Sequence, residues 1–370
     1  MFCQANSPFG RLRAPHLKPP LPRLTPLTPD GIMVTNADYC PAVDTAEPAT
    51  VAIIGAGLAG LSCARLITSS PTFSVTVFDK SRGIGGRLAT RRGPHGQWDH
   101  GAQYLTAQTK DFLSALEHLP QWTAASSQGQ SLPPSAHDRK IFVSEPAQNS
   151  FLKSWTKTLD VRLNTSITAI EHTDRGWTLS IQGKPIQQRF DYLLVTTPAP
   201  QAQALLKGSA ALPRLDQVEL APCWTLMVAT AAPLSLPAAL YNPHPDVAWV
   251  AANHTKPGRD TNKPCYVMQA HASWSEKHIE DDIDSARNAL MQLLQIIAGQ
   301  HINPLHTDAH RWRYAQTQVP LGEPFLYNSA TRLGVAGDWC LGERAEHAFQ
   351  SGCALAKHLI NSTKPPLVAH

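Results

Sequence analysis

Residues 51–92 have the sequence VAIIGAGLAGLSCARLITSSPTFSVTVFDKSRGIGGRLATRR, and this stretch decides the fold. A short apolar, β-prone run meets Gly55, Gly57 and Gly60, which have G-x-G-x-x-G spacing. A helical pattern and a second β-prone run follow, and Asp79 ends that run. A strand, a glycine turn, a helix, a strand and an acid in this order predict a mononucleotide-binding unit.

Each of these residues has a physical role in such a unit. Gly55 permits the tight turn, Gly57 lets backbone approach a pyrophosphate, and Gly60 lets the helix pack closely on the strand. The start of the helix offers free N–H groups and a partial positive charge to the phosphates. Asp79, about 20 residues further on, can accept hydrogen bonds from ribose hydroxyls. The pattern predicts an adenine dinucleotide and leaves NAD and FAD open.

A second glycine-rich loop, Gly83-Ile84-Gly85-Gly86-Arg87, follows Asp79 and favours FAD. A nicotinamide-binding unit has no standing need for this loop. The extended FAD molecule runs past the second strand, and its pyrophosphate can take the guanidinium fork of Arg87. We include Lys80, at the start of the loop, among the expected cofactor contacts. A solvated basic loop without a ligand remains the alternative.

Composition limits the classes of protein and partner. The chain has 370 residues, 42% of them hydrophobic and 16% charged, with a net charge of +4. We expect no nucleic-acid partner, because no basic stripe is interleaved with aromatic residues. We also expect no membrane span, because no run approaches about 18 apolar residues. Seven scattered cysteines without a C-x-x-C pair argue against a disulfide scaffold and favour a reducing, cytoplasmic location.

The pattern of elements predicts an α/β protein with a Rossmann-like, discontinuous FAD-binding domain and an inserted, mostly antiparallel β substrate domain. A proline-rich, disordered leader is expected at residues 1–49. The expected FAD-binding domain comprises residues 50–110, 140–205 and 315–365. The expected substrate domain comprises residues 111–139 and 206–314. Among the predicted elements are strands at 140–144, 223–230, 247–252 and 265–270, and a helix at 280–298.

Three segments carry a resemblance to a known family. They are VFDKSRGIGGRLATRR at 77–92, WDHGAQYLT at 98–106, and GVAGDWCLGERAEHAFQSG at 334–352. In this order they resemble the renalase-type flavoproteins, which are relatives of the FAD-dependent amine oxidases. The resemblance covers residues 50–359 and implies non-covalent FAD. It also implies that Ala59, Arg87, Gln103 and Tyr104 contact this cofactor.

The GAQY segment also has a physical interpretation. Gly101 and Ala102 are small, so backbone can lie close to a flat ring. Gln103 offers a donor and an acceptor to the isoalloxazine edge or the ribityl chain. Tyr104 can stack or hydrogen-bond on the substrate side, although simple core packing remains open. A buried pair of the two residues before the segment, Asp99 and His100, is expected to fix the turn.

Near the end of the chain, Gly337 and Asp338 follow an apolar strand and precede a helix. The resemblance implies that this Asp meets the ribityl or pyrophosphate part of FAD and that the helix directs its N-terminus at the flavin pyrimidine ring. A plain Gly-Asp turn is the alternative. The sequence GERAEHAF departs from the family pattern because His347 replaces a small residue.

The chain shows no acyl-transfer triad, metal cluster or paired carboxylates, as suits chemistry carried by a cofactor. We expect Asn253, His271 and Tyr104 to contact the substrate, and Lys256 and Arg259 to meet a substrate phosphate. The resemblance implies an oxidase that converts 2- or 6-dihydro isomers of NAD(P)H to NAD(P)+, with O2 reduced to H2O2. Oxidation of a small amine and a flavin- or nucleotide-binding sensor without turnover remain alternatives.

Overall fold

The computed structural model describes residues 47–123, 139–207, 212 and 214–362. Most of the predicted leader therefore lies outside the described residues, as do 124–138 of the predicted substrate domain. Residue Ala49, the last of the predicted leader, already belongs to the first strand. No helix of the described segments combines the length and the hydropathy needed to cross a bilayer.

The described residues form strands and helices that we number in chain order. The strands are β1 (Ala49–Ile54), β2 (Phe73–Phe78), β3 (Thr90–Gly93), β4 (Gly96–Asp99), β5 (Asp160–Arg162), β6 (Ile167–Thr173), β7 (Gly176–Ile181), β8 (Lys184–Phe190), β9 (Tyr192–Val195), β10 (Glu219–Thr230), β11 (Ala239–His244), β12 (Val247–Ala252), β13 (Cys265–Ala270), β14 (Pro304–Val319), β15 (Leu326–Asn328) and β16 (Leu333–Val335). The helices are α1 (Leu58–Ile67), α2 (Lys110–Leu116), α3 (Ser150–Trp155), α4 (Ala199–Leu206), α5 (Ala272–Lys277), α6 (Ile283–Ala298) and α7 (Ala345–Ser362).

One sheet is six-stranded, in the order β15-β16-β9-β1-β2-β5, and all its pairs are parallel except β15 with β16. Its strands come from widely separated parts of the chain. Successive residues of β1 alternate between two cores, with Val51 and Ile53 under α1 and α7, and Ala52 and Ile54 on the opposite side. A strand buried on both faces is typical of a parallel sheet between two layers.

A second sheet is antiparallel, in the order β11-β12-β13-β10-β14. One face packs on α6, where Trp224, Leu226 and Val228 of β10 meet Leu290 and Leu294. The other face is turned toward residues 98–104, where Trp98 packs on Met227 and Gln269 Nε2 donates to Gly101 O. The α/β fold with a parallel sheet and a separate antiparallel sheet confirms the predicted fold class.

Two predicted elements differ from the structure for local reasons. Helix α6 begins three residues later than predicted, because the Asp282 side chain caps it by accepting from Ser285 N at 2.9 Å. Glu280 lies outside the helix and pairs with Arg313. The run 140–144 forms isolated bridges through Phe142 instead of a strand.

Candidate active site

The first glycine turn has the close contacts that the sequence predicts. Gly55 follows β1 with a φ of +114°, a backbone conformation that favours glycine. A Cβ on Gly60 would lie 2.6 Å from Thr196 Oγ1 and would also overlap the Gly55 carbonyl. Only glycine at residue 60 therefore lets α1 leave the turn so close to the end of β9.

Gly57 differs from the other two glycines because the space beside it is open. No atom of the described residues lies within 4 Å of a Cβ built on Gly57. Gly57 precedes α1 and supplies no side-chain cap. The N–H groups of the first turn, which includes Ala59, have no acceptor within the helix. An open approach to such amides fits the pyrophosphate of FAD.

The second glycine loop lies against the first. Gly57 and Gly85 form an isolated parallel bridge, and Gly85 N donates to Ala56 O at 2.8 Å. Gly85 and Gly86 both have positive φ, at 109° and 53°. A Cβ on Gly86 would lie 3.6 Å from the Gly57 Cα. The two loops thus border the open side of Gly57, where the cofactor has room.

Asp79 stands at the carboxyl end of β2, next to both loops. Its Oδ2 accepts from Ala56 N at 2.7 Å, and its Oδ1 accepts from Ser81 N at 2.7 Å. The carboxylate remains half-buried, and Lys80 beside it is exposed. The placement suits a ribose contact for Asp79, and the cofactor roles of both residues stay predictions.

Arg87 and Asp338 meet although they are far apart in the sequence. Arg87 Nη2 forms an ion pair with Asp338 Oδ1, and Nη1 donates to Ala315 O at 3.0 Å. Thr317 Oγ1 donates to the other carboxylate oxygen at 3.5 Å. Asp338 is buried, whereas the Arg87 side chain is 30% exposed. The guanidinium therefore keeps an accessible side for a phosphate, and this contact stays a prediction.

The backbone of the GAQY segment lies directly on Arg87. Ala102 N donates to Arg87 O at 2.8 Å, and a Cβ on Gly101 would lie 2.8 Å from the carbonyl carbon of Arg87. At the third motif, a Cβ on Gly337 would lie 2.6 Å from Trp339 Cδ1. The structure thus brings the second loop, the GAQY segment and Gly337–Asp338 to one place.

The Gln103 side chain is buried and is engaged inside the protein. Its Nε2 donates to the carbonyls of Asp99 and Gly101, and its Oε1 accepts from Lys256 Nζ at 3.2 Å. Both amide donors are thus used. The structure corrects the expectation that this amide offers a donor to the cofactor. Gln103 fixes the turn instead, and a contact through its backbone stays a prediction.

Asp99, Lys256 and Arg259 form a buried ionic cluster that corrects two further expectations. Asp99 Oδ2 accepts from Lys256 Nζ at 3.2 Å and from Arg259 Nη2 at 2.6 Å. Burial alone raises the pKa of Asp99, but the two cations together lower it to about 2. Lys256 and Arg259 are almost fully buried, so neither is available to a substrate phosphate. Asp99 pairs with these cations and not with His100.

One row of cross-strand neighbours faces the GAQY segment. The register places Tyr241, Trp249, Gln269, Thr225 and His310 side by side across β11, β12, β13, β10 and β14. Gln269 Nε2 donates to the carbonyl of residue 101 at 2.8 Å. Trp249 lies 5.5 Å, ring to ring, from the tyrosine of residue 104. We call these five residues the wall row.

Tyr104 is therefore part of an aromatic pair at this wall. Burial raises the pKa of Tyr104 to about 12, so the phenol is protonated. Trp249 is 6% exposed, and its Nε1 has no hydrogen-bond partner among the described residues. A buried indole N–H without an acceptor is rare in a protein interior, and it is a donor that a ligand can use.

Two histidines at the same wall are uncharged. The His100 ring lies 5.1 Å from those of His310 and Trp312, and Trp312 Nε1 donates to His100 O at 2.9 Å. Burial lowers the pKa of His100 to about 3 and that of His310 to about 4, and Arg91 nearby contributes to both shifts. The wall row is therefore neutral at physiological pH.

The two residues predicted beside Tyr104 lie at opposite ends of the antiparallel sheet. Asn253 is fully buried, accepts from Asp99 N at 3.3 Å and donates to Gln97 O at 3.0 Å. It follows β12 at the end where Ala252 pairs with residue 266, and His271 lies five residues beyond that pair, roughly 17 Å away. Asn253 braces β4 instead of facing a substrate. His271 follows β13 and precedes α5, and its substrate contact stays a prediction.

The Rossmann-type parallel sheet carries an open glycine turn with an acid beside it. The antiparallel sheet packs against the adjoining GAQY segment. Together these features define an FAD-dependent oxidoreductase. The family model described as flavin containing amine oxidoreductase matches residues 147–360, and that described as NAD(P)-binding Rossmann-like domain matches residues 53–119. The chain belongs to the flavin-containing amine oxidoreductase family, with FAD as its cofactor.

Two known proteins are similar to this chain. Renalase of Mus musculus is 25% identical over 338 residues, which span 82% of this chain and 95% of that protein. A solved structure described as a "Putative protoporphyrinogen oxidase" from Exiguobacterium sp. 255-15 has a TM-score of 0.63 and 14% identity, covering 86% of this chain and all of the other. The latter likeness shows the shared fold.

Proposed function

We propose that this protein is an FAD-dependent oxidase that converts 2- or 6-dihydro isomers of NAD(P)H to NAD(P)+, with O2 as the electron acceptor and H2O2 as the second product. The observation that carries the proposal is the neutral, aromatic wall row beside Tyr104. A flat, uncharged dihydronicotinamide ring is complementary to such a surface. The other supports are the resemblance to renalase-type proteins and the room for a dinucleotide at Gly57.

Several groups of this chain would hold the cofactor. The first-turn amides after Gly57 and the open side of Arg87 suit its pyrophosphate, and Asp79 suits the adenosine ribose. Asp338, which pairs with Arg87 of the second loop, would suit the ribityl hydroxyls. The chemistry that FAD supplies when bound is the acceptance of a hydride and the transfer of its two electrons to O2, which with two protons gives H2O2. The protein itself needs only to bind, orient and exclude water.

The wall row would orient the substrate ring. Trp249 and Tyr104 offer flat faces for stacking, and the free Nε1–H of Trp249 offers a donor to a carboxamide oxygen. Because Trp249 and Thr225 of the row are buried, a ring bound beside them would displace water from the site of hydride transfer.

Oxidation of an amine is the competing function within the same family. A protonated amine finds no carboxylate in the wall row, and Asp308, two residues before His310 on β14, already pairs with Arg91. The neutral imidazoles of His100 and His310 offer no counter-charge either. These electrostatics favour the uncharged dihydronicotinamide ring over a cationic amine.

The test is anaerobic reduction of the purified yellow protein. We expect 2- or 6-dihydro-NAD to bleach the flavin absorbance and O2 to restore it with one H2O2 per turnover. Bleaching by a small amine and not by these isomers would overturn the proposal in favour of an amine oxidase. Absence of bleaching by either class would favour the sensor without turnover.

A matched pair of variants tests the wall. Trp249→Phe keeps an aromatic ring but removes the donor, so we expect a raised KM with full FAD content. Trp274→Phe is the control, because Trp274 packs on the opposite face of the same sheet. Equal effects of the two substitutions on KM would contradict a substrate contact at Trp249.

A further inference from the structure

The ionic cluster of Asp99, Lys256 and Arg259 holds more positive than negative charge. Two cations share one carboxylate oxygen, and all three side chains are almost completely buried. Glu145 packs against Gly258 in the same loop, but it is exposed and forms no ion pair within the described residues. The cluster therefore carries a net charge of +1, and a buried unpaired charge is costly unless an anion lies nearby.

Lys256 connects this charge to the GAQY segment. Its Nζ contacts Asp99 Oδ2 and Gln103 Oε1, both at 3.2 Å, and lies 5.2 Å from the centre of the Trp122 ring. Gln103 in turn donates to the carbonyl of Gly101 at 2.9 Å. Gly101 and its neighbour rest on the carbonyl of residue 87, at the second glycine loop. The ammonium group is thus only one side chain away from the segment that borders the cofactor space.

We propose that Lys256 is a positioning residue that biases the redox equilibrium of the cofactor. Its ammonium group fixes Gln103 and with it residues 101–104, and the net positive charge of the cluster favours the reduced, anionic cofactor over the oxidised one. The cluster then stabilises charge that develops when the cofactor accepts a hydride. This inference rests on the proposed function only for the placement of FAD beside residues 101–104.

The decisive variant is Lys256→Gln, which carries no charge but can still donate to Gln103. The remaining Asp99–Arg259 pair is neutral overall, so we expect the variant to fold, and Lys256→Met serves as a second neutral variant. Each FAD-loaded protein is equilibrated anaerobically with a reference redox dye. We expect the ratio of oxidised to reduced FAD to rise on the order of tenfold in both variants, the scale of one charge interaction in a partly buried site.

The pH dependence gives a second readout. Burial lowers the pKa of Lys256 to about 8, with Asp99 opposing and Arg259 supporting the shift, and its other neighbours, Gln103 and Trp122, are uncharged. In the wild type, the ratio of oxidised to reduced FAD at equilibrium with the dye should therefore change its slope against pH near pH 8. The slope change should be missing in Lys256→Gln. Its persistence there would show that another group titrates.

The matched control is Lys263→Gln, which removes an exposed lysine from the same loop. We expect this variant to keep the wild-type ratio. A wild-type ratio in Lys256→Gln at full FAD occupancy would overturn the inference and leave the proposed function intact. A wild-type protein that binds no FAD would overturn both. A shifted ratio in Lys256→Met beside a wild-type ratio in Lys256→Gln would also overturn the inference and leave the proposed function intact, because the hydrogen bond to Gln103 without the charge would then suffice.

Discussion

The open space beside Gly57 makes a sharp prediction for Gly57→Ala. The backbone there has a φ of −78°, so alanine is unstrained, and no described atom lies within 4 Å of the new Cβ. Alanine is a poorer N-cap than glycine by roughly 1 kcal/mol, and it restricts the unfolded chain by about 0.4–1 kcal/mol. These effects oppose each other, so the free energy of unfolding of the cofactor-free protein should change little.

Cofactor binding should change strongly in the same variant. The Cβ occupies the space through which a pyrophosphate approaches the first-turn amides of α1. Loss of two charge-assisted hydrogen bonds costs about 1.5–3 kcal/mol each. The Kd for FAD should therefore rise at least about a hundredfold. Visible absorbance after gel filtration measures retained FAD, and urea unfolding measures stability.

Gly60→Ala is the matched comparison. A Cβ at residue 60 would lie 2.6 Å from Thr196 Oγ1 and overlap the Gly55 carbonyl, so α1 or the turn must shift. Overpacking of this kind costs about 1–3 kcal/mol. We expect lost stability here and retained stability in Gly57→Ala. If Gly57→Ala retains FAD with wild-type affinity, the reasoning about an open cradle is refuted.

The remaining predictions concern stability. Asp99→Asn leaves two buried cations without a counter-charge and should cost about 3–5 kcal/mol in urea unfolding, and adding Lys256→Met should recover part of that loss; no recovery would contradict the charge argument. Burial lowers the pKa of His100 to about 3, so the unfolded chain binds a proton at this residue at a higher pH than the folded protein does. The stability that neutral His100 contributes is therefore complete above pH 6.5 and is lost as the pH falls. This group alone should remove about 2 kcal/mol between pH 6.5 and pH 5, and a stability difference between wild type and His100→Phe that does not vary with pH would count against it. Asp282→Ala should cost about 1 kcal/mol through the lost cap on Ser285 N, and unchanged thermal unfolding would show that α6 does not depend on it.

The cofactor half of the protein could be predicted because its constraints are local. Gly55, Gly57 and Gly60 lie within six residues, and each has a steric reason that a short motif records. The Rossmann-like sheet and the FAD assignment followed from this stretch and the loop ending at Arg87. The ion pair of Arg87 with Asp338 was not predicted, since no local pattern relates the two residues.

The substrate half could be predicted only in part. Strand β14 was missed because it combines polar residues at the edge of the sheet with polar residues at the wall row. The period-two alternation of polar and apolar residues is therefore hidden in its sequence. Lys256 and Arg259 were assigned to a phosphate because a sequence cannot show that Asp99, some 157 residues before Lys256, forms a buried ion pair with each of them. The wall row was missed as well, since it arises from register between strands. The lone polar Gln269 in the apolar run CYVMQA was the available signal.

The position of helix α7 near the end of the chain determines how late in synthesis the cofactor site can be completed. A Cβ on Gly352 would lie 2.9 Å from the carbonyl carbon of Ala59, so α7 rests on the first turn of α1. Asp338, which forms the ion pair with Arg87 of the second glycine loop, also lies late in the chain, shortly before α7. The glycine turn leaves the ribosome early, but the surfaces that hold it in place emerge about 290 residues later. Cofactor loading is therefore a late event in biogenesis, and nascent chains stalled before α7 should emerge colourless.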